Sequence, residues 1–258
     1  MFIRILSSII LLPVLIFILI NGGIPLYLGV SVVSLIALKE FYDAFKEKKI
    51  NSINIVGYMI SLLFFMFSTF KINNQYMLGL SFILFFIACI LVVLRKYNIM
   101  DMSVTFLGVI YIPYLLNHIT LITNFKNYNY IWLVFIIAWM TDTFAYFSGY
   151  FFGKNKLIPE VSPKKTIEGS IGGIIGSSIS CAVFGYLFNF NLFHMIIIGL
   201  VGSIVAQIGD LFASSIKRVL GIKDYGKLIP GHGGILDRFD SIIFTAPFVY
   251  YYILFFIK

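Results

Sequence analysis

Long apolar runs broken by short polar connections dominate this chain. They recur nine times, at roughly residues 3–20, 23–38, 53–70, 76–94, 102–123, 130–152, 169–188, 192–215 and 241–257. An α-helix needs about 20 apolar residues to cross a bilayer core about 30 Å thick. The pattern therefore predicts an all-α integral membrane protein with about nine transmembrane helices. The first run, MFIRILSSIILLPVLIFILI, has the charge and apolar core of a signal peptide. No small-x-small cleavage site follows it and further hydrophobic segments do, so it reads as a retained first span.

Composition strengthens this picture. The 258 residues are 60% hydrophobic and 12% charged, with a mean hydropathy of +0.98. Soluble domains carry about 25% charged residues, so this chain is too poor in charge to cover a surface facing water. Its 28 phenylalanines suit lipid-facing helices. The two cysteines, Cys89 and Cys181, each lie within an apolar run without metal-ligand spacing, and read as small buried hydrophobes.

Charge then sets an orientation. With the amino terminus on the cytoplasmic side, only Lys71, Lys126 and Lys258 of the 19 Lys and Arg residues fall outside. The positive-inside rule thus predicts an N-in, C-out topology. It also brings the two large basic loops, 153–168 and 216–240, to one cytoplasmic face. The chain reads as a single membrane domain, 1–258. Residues 1–138 look like a hydrophobic scaffold, 139–241 hold nearly all the unusual polar chemistry, and 241–257 form the last span.

Within the 192–215 run, polar residues fall into register. At about 100° per residue, Ser203, Gln207, Asp210, Ser214, Lys217 and Arg218 occupy an arc of roughly 100°. The helix thus carries a wet stripe leading to its cytoplasmic end. A carboxylate such as Asp210 in or near a membrane costs several kcal/mol unless it is paired or binds a cation. A structural ion pair with a neighbouring Lys or Arg and a functional role are both open; the general behaviour of intramembrane carboxylates favours function. In WMTDTFAYFSGYFFGK, Asp142, Tyr146, Gly149 and Gly153 share a face. Asp142 is either a satisfied packing residue or a chemical group.

The segment KLIPEVSPKKTIEGSIGGIIGS contains two prolines that stop helix formation, then Lys164, Lys165 and Thr166. Its Gly169, Gly172, Gly173 and Gly176 include two GxxxG spacings, which favour close helix packing. The lysines suit lipid headgroups or a phosphate bound at a helix start.

Between Ser215 and Asp240 the chain reads SIKRVLGIKDYGKLIPGHGGILDRFD. Asp237 and Asp240 are three apart and would share a helix face. With Asp210 and Asp224 they supply hard oxygen ligands of the kind Mg²⁺ takes together with substrate phosphates. No His/Cys set suggests zinc. PGHGG is incompatible with regular helix, and its consecutive N–H groups can form an anion nest. His232 would either donate to a phosphate or pin the loop. Acidic metal ligands, basic side chains, a glycine loop and an apolar surround fit phosphoryl or nucleotidyl transfer onto a lipid. Neither GxSxG nor a Walker A sequence is present.

Twelve fixed positions across Ser214–Asp240 resemble the pattern of the phosphatidate cytidylyltransferase (CDP-diacylglycerol synthase) family: Ser214, Lys217, Arg218, Lys223, Asp224, Pro230, His232, Gly233, Gly234, Asp237, Arg238 and Asp240. There is no departure from it. DTFAYFSGYFFGKNKL and SPKKTIEGSIGG resemble the family's upstream blocks, so about 100 residues match well and the amino-terminal half matches only as a run of spans.

The resemblance implies a multi-span, homodimeric enzyme of the bacterial cytoplasmic membrane, with a polar catalytic cavity open to the cytoplasm. It implies CTP and phosphatidate as substrates, Mg²⁺ as cofactor, K⁺ as a further ion that can share the site, and no nucleic-acid partner. On that basis Asp210 and Asp237 are the expected Mg²⁺ ligands, with Asp240 and Asp224 as further ligands or their supports. Lys217, Arg218, Lys223 and Arg238 would clamp phosphates. Gly231, His232, Gly233 and Gly234 would cradle CTP beside Ser214. Lys164 and Lys165 would receive the lipid head or pyrophosphate, with Asp142 also on the substrate side. The alternatives are a CTP-dependent enzyme acting on another lipid phosphate or a polyprenol, and a transporter. A transporter would place charge near the midplane on broken helices, often in paired repeats.

Overall fold

A computed structural model describes residues 2–231 and 233–257, with the side chains of residues 2–10 and Asn74 outside the described set. His232 and Lys258 therefore lie outside the described residues, as does the side chain of Arg4. The chain divides into two compact units. One comprises Met1–Thr123 and Leu220–Phe239, the other Asn124–Val219 and Asp240–Lys258.

The first unit contains α1 (Phe2–Asn21), α2 (Gly23–Lys46), α3 (Asn54–Phe70), α4 (Asn74–Val93), α5 (Ile99–Val109) and α6 (Leu115–Ile122). Between α5 and α6, Ile110–Tyr114 forms a π-helical turn around Pro113. Proline lacks the N–H that a regular turn would use, and a widened turn absorbs the mismatch without ending the rod. Helix α2 outlasts its predicted end near residue 38. Its last turns are amphipathic: Phe41, Tyr42 and Ala44 are buried, while Asp43 and Lys46 pair on the exposed side at 2.7 Å.

Polar side chains fix the ends of these rods. Asn98 and Asp101 form a capping box at the start of α5. Asp101 also accepts the Asn51 N–H at 2.7 Å, and Thr105 Oγ1 accepts that of Ile53 at 2.7 Å. The link between α2 and α3 is thereby tied to α5. Tyr42 reaches the Thr105 carbonyl through space that Gly57 and Gly108 leave; a Cβ at either would lie within 3 Å of its ring. Ile53, Val56, Ile60, Phe64, Leu84, Ala88 and Val109 form an apolar cluster alongside.

The second unit contains α7 (Tyr130–Phe152), β1 (Lys156–Ile158), β2 (Ser162–Thr166), α8 (Ile167–Leu187), α9 (Leu192–Leu220) and most of α10 (Leu236–Phe256). The antiparallel β1–β2 hairpin is an addition to the all-α expectation. Its register shifts between Lys156↔Thr166 and Ile158↔Ser162, which is where Pro163 sits, a tolerated place for a residue that cannot donate to the ladder. Helices α7 and α8 pack along the predicted glycine row. A Cβ on Gly169 would stand 2.8 Å from the Ala145 carbonyl oxygen, and one on Gly173 2.9 Å from that of Thr141.

Among the described residues, seven helical segments are long and apolar enough to cross a membrane: α2, α4, the 99–122 rod, α7, α8, α9 and α10. Helix α3 and the stretch Leu11–Asn21 of α1 are apolar but shorter. The molecule is thus an all-α membrane protein that also bears a small hairpin, and among the described residues each predicted run contains a helix, seven of them long enough to cross a membrane.

Candidate functional site

Each unit holds a polar cavity. In the second unit a cavity of about 490 Å³ is lined by α7, the β2 strand, the start of α8 and the wet stripe of α9. Thr166, the last residue of β2, caps α8 by accepting the Gly169 N–H at 3.1 Å. Glu168 ties the end of α7 to this corner by accepting the N–H groups of Lys154 and Asn155, at 3.1 and 3.2 Å. Lys164 and Lys165 are thereby held at the cavity, which also contains Asp142, Tyr146, Tyr150 and Asp210.

The floor of this cavity is a hydrogen-bonded chain. Thr141 Oγ1 donates to Ser203 Oγ at 2.9 Å. Ser170 Oγ donates to Gln207 Oε1 at 2.5 Å, and the Gln207 amide donates back to the Ser170 carbonyl at 3.2 Å. The predicted stripe is therefore the polar wall of α9. Sequence reasoning placed Gln207 on it but did not single out Gln207, Ser170 or Thr141 as site residues. The signal was the 3.6-residue register itself, extended to partners on α7 and α8.

Lys165 Nζ pairs with Asp210 Oδ2 at 2.5 Å, both side chains about a quarter exposed. Asp210 Oδ1 also faces the Ser214 hydroxyl at 3.4 Å. Of the two readings left open for Asp210, an ion pair is thus present, and it lies inside the cavity. Asp240 lies within electrostatic reach of Asp210, Asp142 and Lys217. It accepts the N–H of Ser241 at 2.8 Å. Arg218 donates through Nε to the Val161 carbonyl in the hairpin turn at 3.1 Å, so this candidate clamp also anchors the hairpin.

In the first unit, residues 221–231 and 233–235 are irregular, as the PGHGG segment predicts. Ile229 and Gly233 form an isolated antiparallel bridge around the turn, with the Ile229 N–H donating to the Gly233 carbonyl at 2.9 Å. Gly231 and Gly233 have φ of 79° and 88°, a region that favours glycine. This loop and Arg238 enclose a second cavity of about 590 Å³, lined by Lys223, Asp224, Gly226, Lys227, Ile229, Pro230, Gly231, Gly233 and Arg238. Lys223, Lys227 and Arg238 are exposed, so the cavity is basic. His232 was assigned to this loop and lies outside the described residues.

Asp237 opens α10 and is buried. Its Oδ2 accepts the N–H groups of Tyr225 at 2.8 Å and Gly234 at 3.0 Å. A Cβ on Gly233 would meet Asp237 Oδ2 at 3.1 Å and Asp224 Oδ1 at 3.4 Å. Two carboxylates therefore converge on the glycine bend. Hard carboxylate oxygens beside a basic cavity are of the donor type that Mg²⁺ takes. Among the described residues, no three His, Cys, Asp or Glu side chains gather as a metal-holding group.

Sequence reasoning missed Glu40. Although buried in the last turns of α2, its carboxylate accepts the N–H groups of Ile235 at 3.1 Å and Leu236 at 2.9 Å. It thereby caps α10 from a helix 195 positions away. The only local signal was the continued apolar spacing through Phe41, Tyr42 and Ala44, which carries α2 past residue 38.

The sequence of the whole chain bears on this geometry. The model of a cytidylyltransferase family matches residues 2–256. The chain is 35% identical over 257 residues to a phosphatidate cytidylyltransferase of Staphylococcus haemolyticus (strain JCSC1435), covering 95% of this chain and 96% of the relative. It is 36% identical over 258 residues to one of Staphylococcus aureus (strain COL), with the same coverage. It is 32% identical over 257 residues to one of Bacillus subtilis (strain 168), covering 96% of each.

Proposed function

This chain belongs to the cytidylyltransferase family, and we infer from that premise that it transfers the CMP moiety of CTP to phosphatidate, giving CDP-diacylglycerol and pyrophosphate. The observation that carries the reading within the molecule is the basic, glycine-walled cavity built by the motif loop. In the reaction, a phosphate oxygen of phosphatidate forms a bond to the α-phosphorus of CTP. The bond from that phosphorus to the bridging oxygen breaks, and pyrophosphate leaves with the electron pair. The attacking oxygen is already anionic, so no general base is required.

Lys223, Lys227 and Arg238 hold the triphosphate, and the backbone at Gly231–Gly234 approaches it closely. Lys164 and Lys165 receive the lipid phosphate or pyrophosphate in the α7–α9 cavity, with Asp142 and the Gln207 chain bounding that site. Lys217, Arg218 and Ser214 add positive charge and a hydroxyl at the end of the wet stripe. These groups act by neutralising and positioning anions that otherwise repel. Mg²⁺, when bound, supplies further neutralisation of the phosphates. Asp237, with Asp224 as a further ligand or support, is the residue assigned to it in the first unit, and Asp210, with Asp240 as a further ligand or support, the one assigned in the second; K⁺ is the second ion assigned. The convergence of Asp224 and Asp237 at Gly233 supports the acidic set.

The nine rods span the cytoplasmic membrane of a bacterium with the amino terminus inside, and both cavities open to the cytoplasm. The distribution of Lys and Arg supports this orientation. Labelling single cysteines at positions 71 and 227 with an impermeant reagent tests it: position 71 should react from outside and 227 only after the membrane is opened. The enzyme is a homodimer, to be checked by light scattering in detergent, where a monomeric mass would refute it.

The central test incubates purified protein with labelled CTP, phosphatidate and Mg²⁺. A labelled liponucleotide should form only when all three are present. A product that forms equally with a polyprenol or another lipid phosphate in place of phosphatidate overturns the substrate assignment. Asp210→Asn and Asp237→Asn should each fold and lose Mg²⁺-dependent turnover. Near wild-type activity in either removes that residue from the metal site.

A further inference from the structure

We propose that Glu40, in the helix that sequence alone assigns to the scaffold, is a positioning residue for the nucleotide cavity. This rests on the reading of that cavity as the CTP site. Glu40 is 9% exposed, and a carboxylate so placed must be satisfied by nearby donors. Its two oxygens take one backbone N–H each, from Ile235 and Leu236, at the junction of the loop and α10. These are groups that a helix start leaves without partners of its own, and an anion there is also favoured by the helix dipole.

The carboxylate also shapes the loop by occupying space. A Cβ on Gly226 would collide with Glu40 Oε1, and one on Gly234 with Oε2. Gly226 lines the cavity, so Glu40 stands directly behind part of its wall. Tyr225, beside Gly226, is buried and packs its ring against Phe41, the neighbour of Glu40, at 6.4 Å between centroids. Asp237 secures the same loop from within by taking the N–H groups of Tyr225 and Gly234. Glu40 and Asp237 together bind four backbone N–H groups, all at the two ends of the segment that carries Lys227, Gly231 and Gly233. The loop is thereby held in one shape by α2, and the coupling is reciprocal: displacing the loop leaves a buried carboxylate without its donors.

Glu40→Gln tests this with little change in volume. The amide keeps one acceptor and turns an N–H₂ toward a backbone N–H, so one charge-assisted bond is lost and a donor faces a donor. Loss of such a bond corresponds to about tenfold or more. With full-length protein in detergent, labelled CTP, phosphatidate and Mg²⁺, KM for CTP should rise about tenfold in E40Q. KM for phosphatidate should stay within about twofold, a split that general loosening of the fold does not produce. Asp43→Asn, on the exposed side of the same turn, should keep wild-type constants. Gly226→Ala, which drives a methyl group into the same carboxylate, should reproduce the E40Q split, and it decides the matter if E40Q is not recovered as a monodisperse protein. An unchanged KM for CTP, or equal rises in both KM values, overturns the proposal while leaving the activity itself established. A wild-type chain that makes no liponucleotide sinks the functional reading, and this inference with it.

Discussion

Replacing Lys165 with Met separates the two readings of the Lys165–Asp210 pair. The side chains meet at 2.5 Å, each about a quarter exposed. Fully exposed pairs contribute about 0–1 kcal/mol, whereas removing one partner of a buried pair costs about 3–5 kcal/mol. A quarter-exposed pair screened by an open cavity falls between them, so Lys165→Met should cost about 2 kcal/mol. For a chain of this size that is a fall of about 4–8 °C in Tm. Asp210→Asn should cost less, because it leaves a lysine whose flexible stem can carry its charge to water. The double variant should recover part of the loss, a coupling of about 1 kcal/mol in a double-mutant cycle. Activity should not recover. If Lys165 receives phosphate, KM for phosphatidate rises in both variants that lack it, whatever the Tm. Thermal unfolding in detergent and steady-state kinetics on the same preparations give both readouts. Additive Tm changes would refute the coupling. An unchanged KM for phosphatidate in Lys165→Met would refute the placement of lipid phosphate in this cavity.

Gly169→Ala should force α7 and α8 apart, because its new methyl group meets the Ala145 carbonyl at 2.8 Å and Gly149 Cα at 3.2 Å, both backbone atoms. Overpacking of this kind costs about 1–3 kcal/mol, so a wild-type Tm would contradict the close approach. Gly233→Ala combines a φ of 88° with a Cβ pressed against Asp237 and Asp224. It should reduce turnover by at least tenfold at saturating phosphatidate; full activity would mean that the bend is not needed. Thr166→Ala removes the cap of α8 and should cost about 1 kcal/mol, read as a lower Tm, whereas Thr166→Ser should restore it.

Much of this architecture was legible because a bilayer imposes a length. Every run of about 20 apolar residues became a rod, and the 3.6-residue register of α9 put Gln207 and Asp210 on the cavity wall. The glycine row of α8 likewise announced a close helix contact, which the fold makes with α7. Hydropathy failed where a helix leaves the apolar phase. Helix α2 continues to Lys46 because Phe41, Tyr42 and Ala44 remain on a buried face, although charged residues alternate with them. The prolines at 159 and 163 read only as helix stops, yet they sit in the turn and in β2 of a short hairpin, whose strands of three and five residues lack the alternating apolar pattern that announces a strand. The partners of Glu40 and Asp210 were illegible for a different reason. A carboxylate's need for a donor is local, but which of many donors the fold delivers is a property of topology.

The acids of the first unit show how a basic binding surface can be built on acidic supports. Glu40 and Asp237 are buried, and each spends its charge on backbone N–H groups of the loop. Lys223, Lys227 and Arg238 stay exposed around the same loop. An anion approaching the cavity therefore meets these cations at its rim, while the carboxylates of Glu40 and Asp237, behind its wall, are already paired with peptide dipoles that point at them. Asp224, by contrast, is exposed in the cavity, where its carboxylate is open to solvent or to a bound cation. If this cavity is the CTP site, pinning the loop also removes reorganisation that a flexible glycine segment would otherwise undergo during the reaction. The glycines at 226, 233 and 234 thus have a second cause besides conformational freedom: the carboxylates that hold the loop occupy the space where side chains would be.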